Sequence, residues 1–203
     1  PDVNRGAWRF EPVSNQTIRY GLGAVKGTGK AAIEAIVDAR EGRGTGPAGA
    51  EAGPFTSLFD FCRRIDRQRL NKRTVEALIK AGAFDTLHRN RAELLASIEL
   101  AFDYAAAAEA NANQGGLFDA FGDDATGSST QEPPLRTAAP WGVREQLMQE
   151  KSALGFYLSG HLFDEHASEV RRFVRRTLAE LGDSRDSVLV AGIVSNWRLI
   201  NGQ

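Results

Sequence analysis

Cysteine is almost missing from this sequence: Cys62 is the only one in 203 residues. One thiol excludes an internal disulfide and points to a reducing compartment. Long apolar runs are missing too. A bilayer span needs about 20 consecutive apolar residues, and no stretch here reaches that, so no membrane is expected as a partner. No secretory leader opens the chain. Histidines number three. The group His161, Asp164, Glu165 and His166 does not follow the ligand spacing of a zinc site, and no metal or cofactor is expected. The phosphate loop of an NTPase requires G-x-x-x-x-G-K-[ST]. Counted back from Gly29-Lys30, its first glycine falls on Ala24 and its hydroxyl residue on Ala31, so the motif fails twice. The chain opens at Pro1 without a methionine. It stops at Asn201-Gly202-Gln203, a turn with no returning strand. A fragment of a longer protein is expected.

A net charge of −1 hides a pattern. Residues 1–100 carry 16 Lys/Arg against 12 Asp/Glu, residues 101–140 carry 1 against 6, and residues 141–203 carry 8 against 8. The basic excess sits in the first half and the acidic excess in a separate stretch.

That first half is organised around Gly23-Ala24-Val25-Lys26-Gly27-Thr28-Gly29-Lys30, which leads straight into Ala31–Val37. Ile33, Ile36 and Val37 recur at helical spacing. The stretch reads as a tight glycine hairpin followed by a helix ending near Arg40. Gly27 and Gly29 permit positive φ and close approach of a ligand. The hairpin amides and the open helix N-terminus then face an anion together, bracketed by Lys26 and Lys30. The chemistry is that of a helix-hairpin-helix, which holds nucleic-acid backbone without reading bases. A helix entry turn with no ligand is the alternative.

A second helix–turn–helix follows a Gly/Ala/Pro-rich loop at 42–54. Ser57 with Asp60 starts a short helix, whose apolar residues are Leu58, Phe59, Phe61, Cys62 and Ile65. Residues 66–70 turn, Asn71 caps the next helix, Val75, Leu78 and Ile79 form its core face, and Gly82 stops it. This unit lacks the glycines, so its grip on phosphate would come from side chains. Arg63, Arg64, Arg67, Arg69, Lys72 and Arg73 face only Asp66 within residues 61–73. Phosphate contact competes here with a solvated helix face.

The rest reads more loosely. Trp8–Phe10 and Ile18–Tyr20 are candidate strands around Asn15-Gln16. Asn90 caps a long alanine-rich helix to about Ala112, with Leu94, Leu95, Ile98 and Phe102 on one side. Residues 113–140 have the composition of a flexible linker. Within it, Gln114-Gly115-Gly116-Leu117-Phe118 offers two apolar anchors and an amide to a partner's pocket; folding back on its own domain is the alternative. Residues 141–160 suggest another helix with Leu147, Met148, Lys151 and Leu154. Residues 167–181 suggest an amphipathic helix with Arg171, Arg172, Arg175 and Arg176 on a solvated face. Val188–Val194 reads as a buried strand leading through Trp197 towards Gly202, the opening of a β domain.

Taken together, Pro1-Asp2-Val3-Asn4, the hairpin 23–29, Ser57–Phe61, Leu70-Asn71-Lys72-Arg73, Ala81–Asp85 and Leu154–His161 resemble the bacterial replicative DNA polymerase III alpha family over essentially the whole chain. The resemblance implies a mainly α fold. Residues 1–20 would end the fingers domain, and 21–112 would form a tandem helix-hairpin-helix domain on double-stranded DNA. Residues 113–140 would be the flexible linker, 141–186 a helical connector, and 187–203 the first strand of an OB domain. On that map the DNA-binding residues are Lys26, Gly27, Thr28, Gly29, Lys30, Arg67, Arg69, Asn71, Lys72 and Arg73. Gln114, Leu117 and Phe118 match the family's internal clamp-binding peptide. The implied partners are duplex DNA, the sliding clamp (beta subunit) and the other holoenzyme subunits, in the bacterial cytoplasm. The implied activity is DNA-directed DNA polymerisation by the parent chain, with Mg2+ held by palm carboxylates upstream of Pro1 and no catalytic residue here. Three positions depart from the family pattern. Thr28 replaces an aliphatic residue and is expected to loosen the hairpin. Leu162 stands where proline is frequent. Gly115-Gly116 raises the cost of ordering the peptide. A structural connector, or a repair-type helix-hairpin-helix module without a clamp, are the competing readings.

Overall fold

The computed structural model describes residues 1–43, 52–118, 131–183 and 185–194, with backbone alone over 112–118. It is mainly helical. Two units divide at Phe156: Pro1–Phe156 and Tyr157–Gln203.

The first unit begins with a two-stranded antiparallel ribbon, β1 (Glu11–Ser14) and β2 (Thr17–Arg19). Ser14 pairs with Thr17 across Asn15-Gln16, so the two-residue turn sets the register outward to Glu11 and Arg19, with a bulge at Val13. Trp8–Phe10, expected as strand, lies outside the ladder. It is held instead across the following segment: Leu22 N–H donates to Ala7 O (2.8 Å) and Gly23 N–H to Trp8 O (3.1 Å). A Cβ on Gly23 would meet the Trp8 ring at 2.3 Å, so only glycine admits this packing.

Six helices follow: α1 (Lys30–Arg40), α2 (Leu58–Arg64), α3 (Lys72–Lys80), α4 (Arg91–Ala96), α5 (Ile98–Phe118) and α6 (Val143–Leu154). Their caps act as the sequence indicates. Ser57 Oγ accepts from Asp60 N–H, Asn71 Oδ1 from Thr74 N–H, and Asn90 Oδ1 from Ala92 and Glu93 N–H. Gly82, at φ +80°, ends α3. The core fills with Ile33 and Ile36 of α1, Leu58 and Phe61 of α2, Val75, Leu78 and Ile79 of α3, and Phe84. Phe61 meets both Phe55 and Phe84 edge-on, at 4.9 and 4.8 Å. Cys62 lies in this core; burial pushes its thiol up to about 12, so it packs as a small neutral side chain.

The opening residues are stapled to this core. Val3 N–H donates to Ala83 O, and Asn4 exchanges two bonds with the Phe55 backbone at 2.7 and 2.9 Å. Arg40 donates to the carbonyls of Val3 and Gly6.

Four differences from the sequence reading stand out. The alanine-rich helix breaks at Ser97, whose hydroxyl donates to Glu93 O and accepts from Arg136 N–H, and its second part continues past Ala112 to Phe118. A nucleated helix gains one bond per added residue, which carries it across Gly115-Gly116. Residues 131–140, read as linker, lie along the helical unit: Glu132 meets Ser57, Asn90 meets Ala138 O, and Leu135 packs on the core. In the second unit, the helix expected over 167–181 shortens to α7 (Ala167–Val170). None of that unit's described residues is buried, so an amphipathic face there has nothing to pack on. The strand expected over Val188–Val194 does not pair among the described residues, and Leu189 and Val194 are exposed. Trp197 and the rest of 195–203 lie outside the described residues.

Candidate nucleic-acid interface

The hairpin runs from a short 3-10 turn, Leu22–Ala24, to the start of α1. Gly27 takes φ +83° and turns the chain. Gly29 does not: at φ −84°, ψ 151° it is an extended N-cap with no side chain to bond the helix amides. A Cβ at either glycine would meet nothing within 4 Å, so both face open space. The amides sort clearly. Lys26 N–H donates to Ala153 O (2.7 Å) and Thr28 N–H to Val25 O (3.3 Å), while Ala32 and Ile33 N–H bond back to Gly29 O. The N–H groups of Gly27, Gly29, Lys30 and Ala31 have no acceptor among the described residues. Four donors without a partner at a glycine turn and helix N-terminus are the chemistry that could accept an anion.

Thr28 does not loosen this hairpin. Its hydroxyl lies 2.7 Å from Val25 O and 3.0 Å from Leu22 O, so it donates across the turn. The polar substitution replaces apolar packing with a tie. Lys26 is exposed and has no ion pair with the described residues, and Lys30 meets only Glu34, at 3.5 Å.

The second basic turn is arranged differently. Arg64 is buried: its guanidinium donates to Asp60 and to the carbonyls of Ala39, Gly53 and Pro54, over the Phe55 ring. Arg63 pairs with Asp60. Arg67 reaches Glu109 of α5 (3.3 Å), Lys72 reaches Glu99 of the same helix, and Arg69 reaches Asp38 (3.5 Å) and Glu34 (3.9 Å) of α1. Asn71 spends its side-chain oxygen on the α3 cap. Arg73 is exposed and unpaired among the described residues. The count of six bases in the sequence overstates the free charge, because Asp60 pairs with two of them and acids distant in sequence with three more. Glu34, shared by Lys30 and Arg69, brings the two turns side by side.

Sequence reasoning missed the support beneath the hairpin. Arg91 grips Asp85 through Nε (2.8 Å) and Nη2 (2.6 Å) and reaches the fully buried Glu150 of α6 through Nη1 (2.9 Å). Burial alone would lower the Arg91 pKa; the bonds to Asp85 and Glu150 outweigh it and raise it. This network fixes α6, whose last turn supplies the carbonyl that accepts Lys26 N–H. The partners lie 59 residues apart, beyond any local pattern.

Gln114, Leu117 and Phe118 fall on the last turns of α5, and their side chains lie outside the described residues. His161 and Asp164 cap a short 3-10 turn for each other. Among the described residues there is no group of three or more His, Cys, Asp or Glu that could hold a metal ion.

A glycine hairpin with free amides feeding a helix, beside a second helix–turn–helix, defines a helix-hairpin-helix protein, and the helix-hairpin-helix motif family matches residues 1–94. The likeness extends further. The whole chain aligns with DNA polymerase III subunit alpha of Neisseria meningitidis serogroup A, at 46% identity over 204 residues, or 16% of that protein. It also aligns whole with the Pseudomonas aeruginosa subunit, at 41% identity over 219 residues and 18% of its length. The Escherichia coli K12 subunit matches 86% of the chain at 38% identity, over 14% of its own length. The chain belongs with the DNA polymerase III alpha subunits, homologous from end to end to one segment of them. It spans less than a fifth of the length of the relatives it matches.

Proposed function

We propose that this chain is the part of a replicative DNA polymerase that grips duplex DNA by its backbone and ties the enzyme to the sliding clamp. The carrying observation is the set of four unpaired amides at Gly27, Gly29, Lys30 and Ala31, bracketed by Lys26 and Lys30. Backbone amides and lysines contact phosphate without reading sequence. Arg67, Arg69, Lys72 and Arg73 would add side-chain contacts from the second turn, and Asn71 would hold that turn in place. Gln114, Leu117 and Phe118 would enter a pocket on the clamp. Entry as an extended peptide would unwind the last turn, which Gly115-Gly116 makes inexpensive. Two weak contacts joined in one chain act at high effective concentration, which is the physical basis of processivity. The parent chain would be a DNA-directed DNA polymerase, working with the other holoenzyme subunits in the bacterial cytoplasm.

The competing connector reading draws on the ion pairs at Arg67, Arg69 and Lys72. Salt titration of duplex binding separates the two. With Lys26, Lys30 and Arg73 as the accessible cations, log K should fall against log[salt] with a slope of about −2 to −3, independent of base sequence. Alanine at Lys26, Lys30, Lys72 and Arg73 together should abolish binding. Unchanged affinity in that variant rejects the grip.

A further inference from the structure

An aromatic surface is joined to the hairpin through Lys26. Phe10 and Tyr20 meet edge-on at 4.7 Å (70°), and Phe156 stands 6.1 Å from Tyr20. Phe10 is 53% and Phe156 44% exposed. The packing of Trp8–Phe10 over Gly21 and Gly23 holds Phe10 there: a Cβ on Gly21 would meet the Arg9 and Phe10 backbone at 2.6 and 2.8 Å. Lys26 joins this surface to the hairpin. Its N–H bonds Ala153 O, and its ammonium lies against Gly155, where a Cβ would meet Nζ at 3.2 Å. Gly155 takes φ +94° to end α6 and is followed directly by Phe156. One exposed ammonium of the hairpin therefore lies beside the residue that precedes Phe156.

We infer that Phe10, Tyr20 and Phe156 form a stacking platform for an unpaired nucleotide flanking the duplex held by the hairpin. The charge complements a phosphate at Lys26, which lies against Gly155, the residue before Phe156, so a nucleotide held there by its phosphate would have its base offered to Phe156. Paired bases hide their faces in the stack; only an unpaired base offers one to an aromatic ring. The ligand is thus a single strand–duplex junction rather than duplex alone, with no preference among bases, since each has a π face. This inference rests on the hairpin grip proposed above.

Fluorescence anisotropy of the 203-residue chain against a blunt duplex, and against the same duplex with a short single-stranded extension, tests it. The junction should bind about five- to tenfold more tightly. Phe156→Ala and Phe10→Ala should each remove most of that preference and leave blunt-duplex affinity unchanged; both side chains are half-exposed, so the fold tolerates their loss. Phe156→Trp should retain the preference. Equal binding of the two DNAs by the wild-type chain overturns the inference and leaves the trio as a face for protein packing, with the hairpin grip intact. Phe156→Ala weakening both DNAs alike also overturns it. Failure of the chain to bind either DNA overturns the grip and the inference together.

Discussion

Gly29→Ser separates a phosphate seat from an ordinary helix entry. Gly29 has φ −84° and ψ 151°, a backbone conformation open to any residue, and a Cβ there meets nothing within 4 Å. Serine at this N-cap would bond one of the free amides of the first turn, a gain of a few tenths of a kcal/mol over glycine. The stiffer unfolded chain adds about 0.4–1 kcal/mol. The variant should therefore be more stable by about 0.7–1.3 kcal/mol, a Tm rise of roughly 1–5 °C for a chain of this size. The same hydroxyl takes an amide that a phosphate would use. A hydrogen bond to a charged group is worth about 1.5–3 kcal/mol, so duplex affinity should fall about tenfold. Stability and binding move in opposite directions, which no loss of folding can imitate. Gly27→Ala lacks this virtue, because its φ of +83° alone costs an alanine about 1–2 kcal/mol. Thermal melts and anisotropy at one fixed salt concentration suffice. A rise in Tm with duplex affinity unchanged would refute the assignment of the hairpin amides to phosphate.

Two other predictions address the support and the tether. Arg91→Met removes the bidentate partner of Asp85 and one charged partner of the buried Glu150, and should cost about 3–5 kcal/mol, a Tm drop of roughly 6 °C or more, partly restored by adding Glu150→Gln; a loss below about 1 kcal/mol in urea unfolding would show that the network is not a lock. Titration against a bacterial sliding clamp should show binding by the wild-type chain and at least about a tenfold loss in Leu117→Ala/Phe118→Ala; no wild-type binding at roughly tens of micromolar would reduce this segment to the end of α5.

What the sequence disclosed was local. Ser57, Asn71, Asn90 and Gly82 act within four residues of themselves, and each does what its type and position indicate. The hairpin was legible for the same reason, apart from Gly29, whose value is space rather than positive φ. Illegible features are those settled at a distance. Asn4 looks like a loop residue until Phe55 is folded beside it. Arg91 looks like a helix-surface arginine until α6 brings Glu150. The expected helix over 167–181 failed for the converse reason: its apolar positions meet no partner among the described residues, and a short helix is marginal without one.

The basic turn shows why charge counting within a window misleads and how the grip can still release. Arg67, Arg69 and Lys72 each hold a carboxylate from α1 or α5. Such half-exposed pairs contribute only about 0–1 kcal/mol each, so a phosphate can displace them. Yet the displaced Glu109, Asp38 or Glu99 stays tethered nearby and repels the incoming strand. A base that exchanges a carboxylate for a phosphate also releases fewer counterions than a free one. The four hairpin amides carry no such debt, since no acid neutralises a backbone dipole. On the proposed grip, affinity would then concentrate at the hairpin, with Lys26 and Arg73 as the cations free of acidic partners among the described residues at the two turns. The salt slope should accordingly lie near −2 to −3, where the six bases counted within residues 61–73 alone would give about −5. A steeper measured slope would mean that these ion pairs open fully on DNA. A shallow one fits a surface that would hold duplex without fixing it in place.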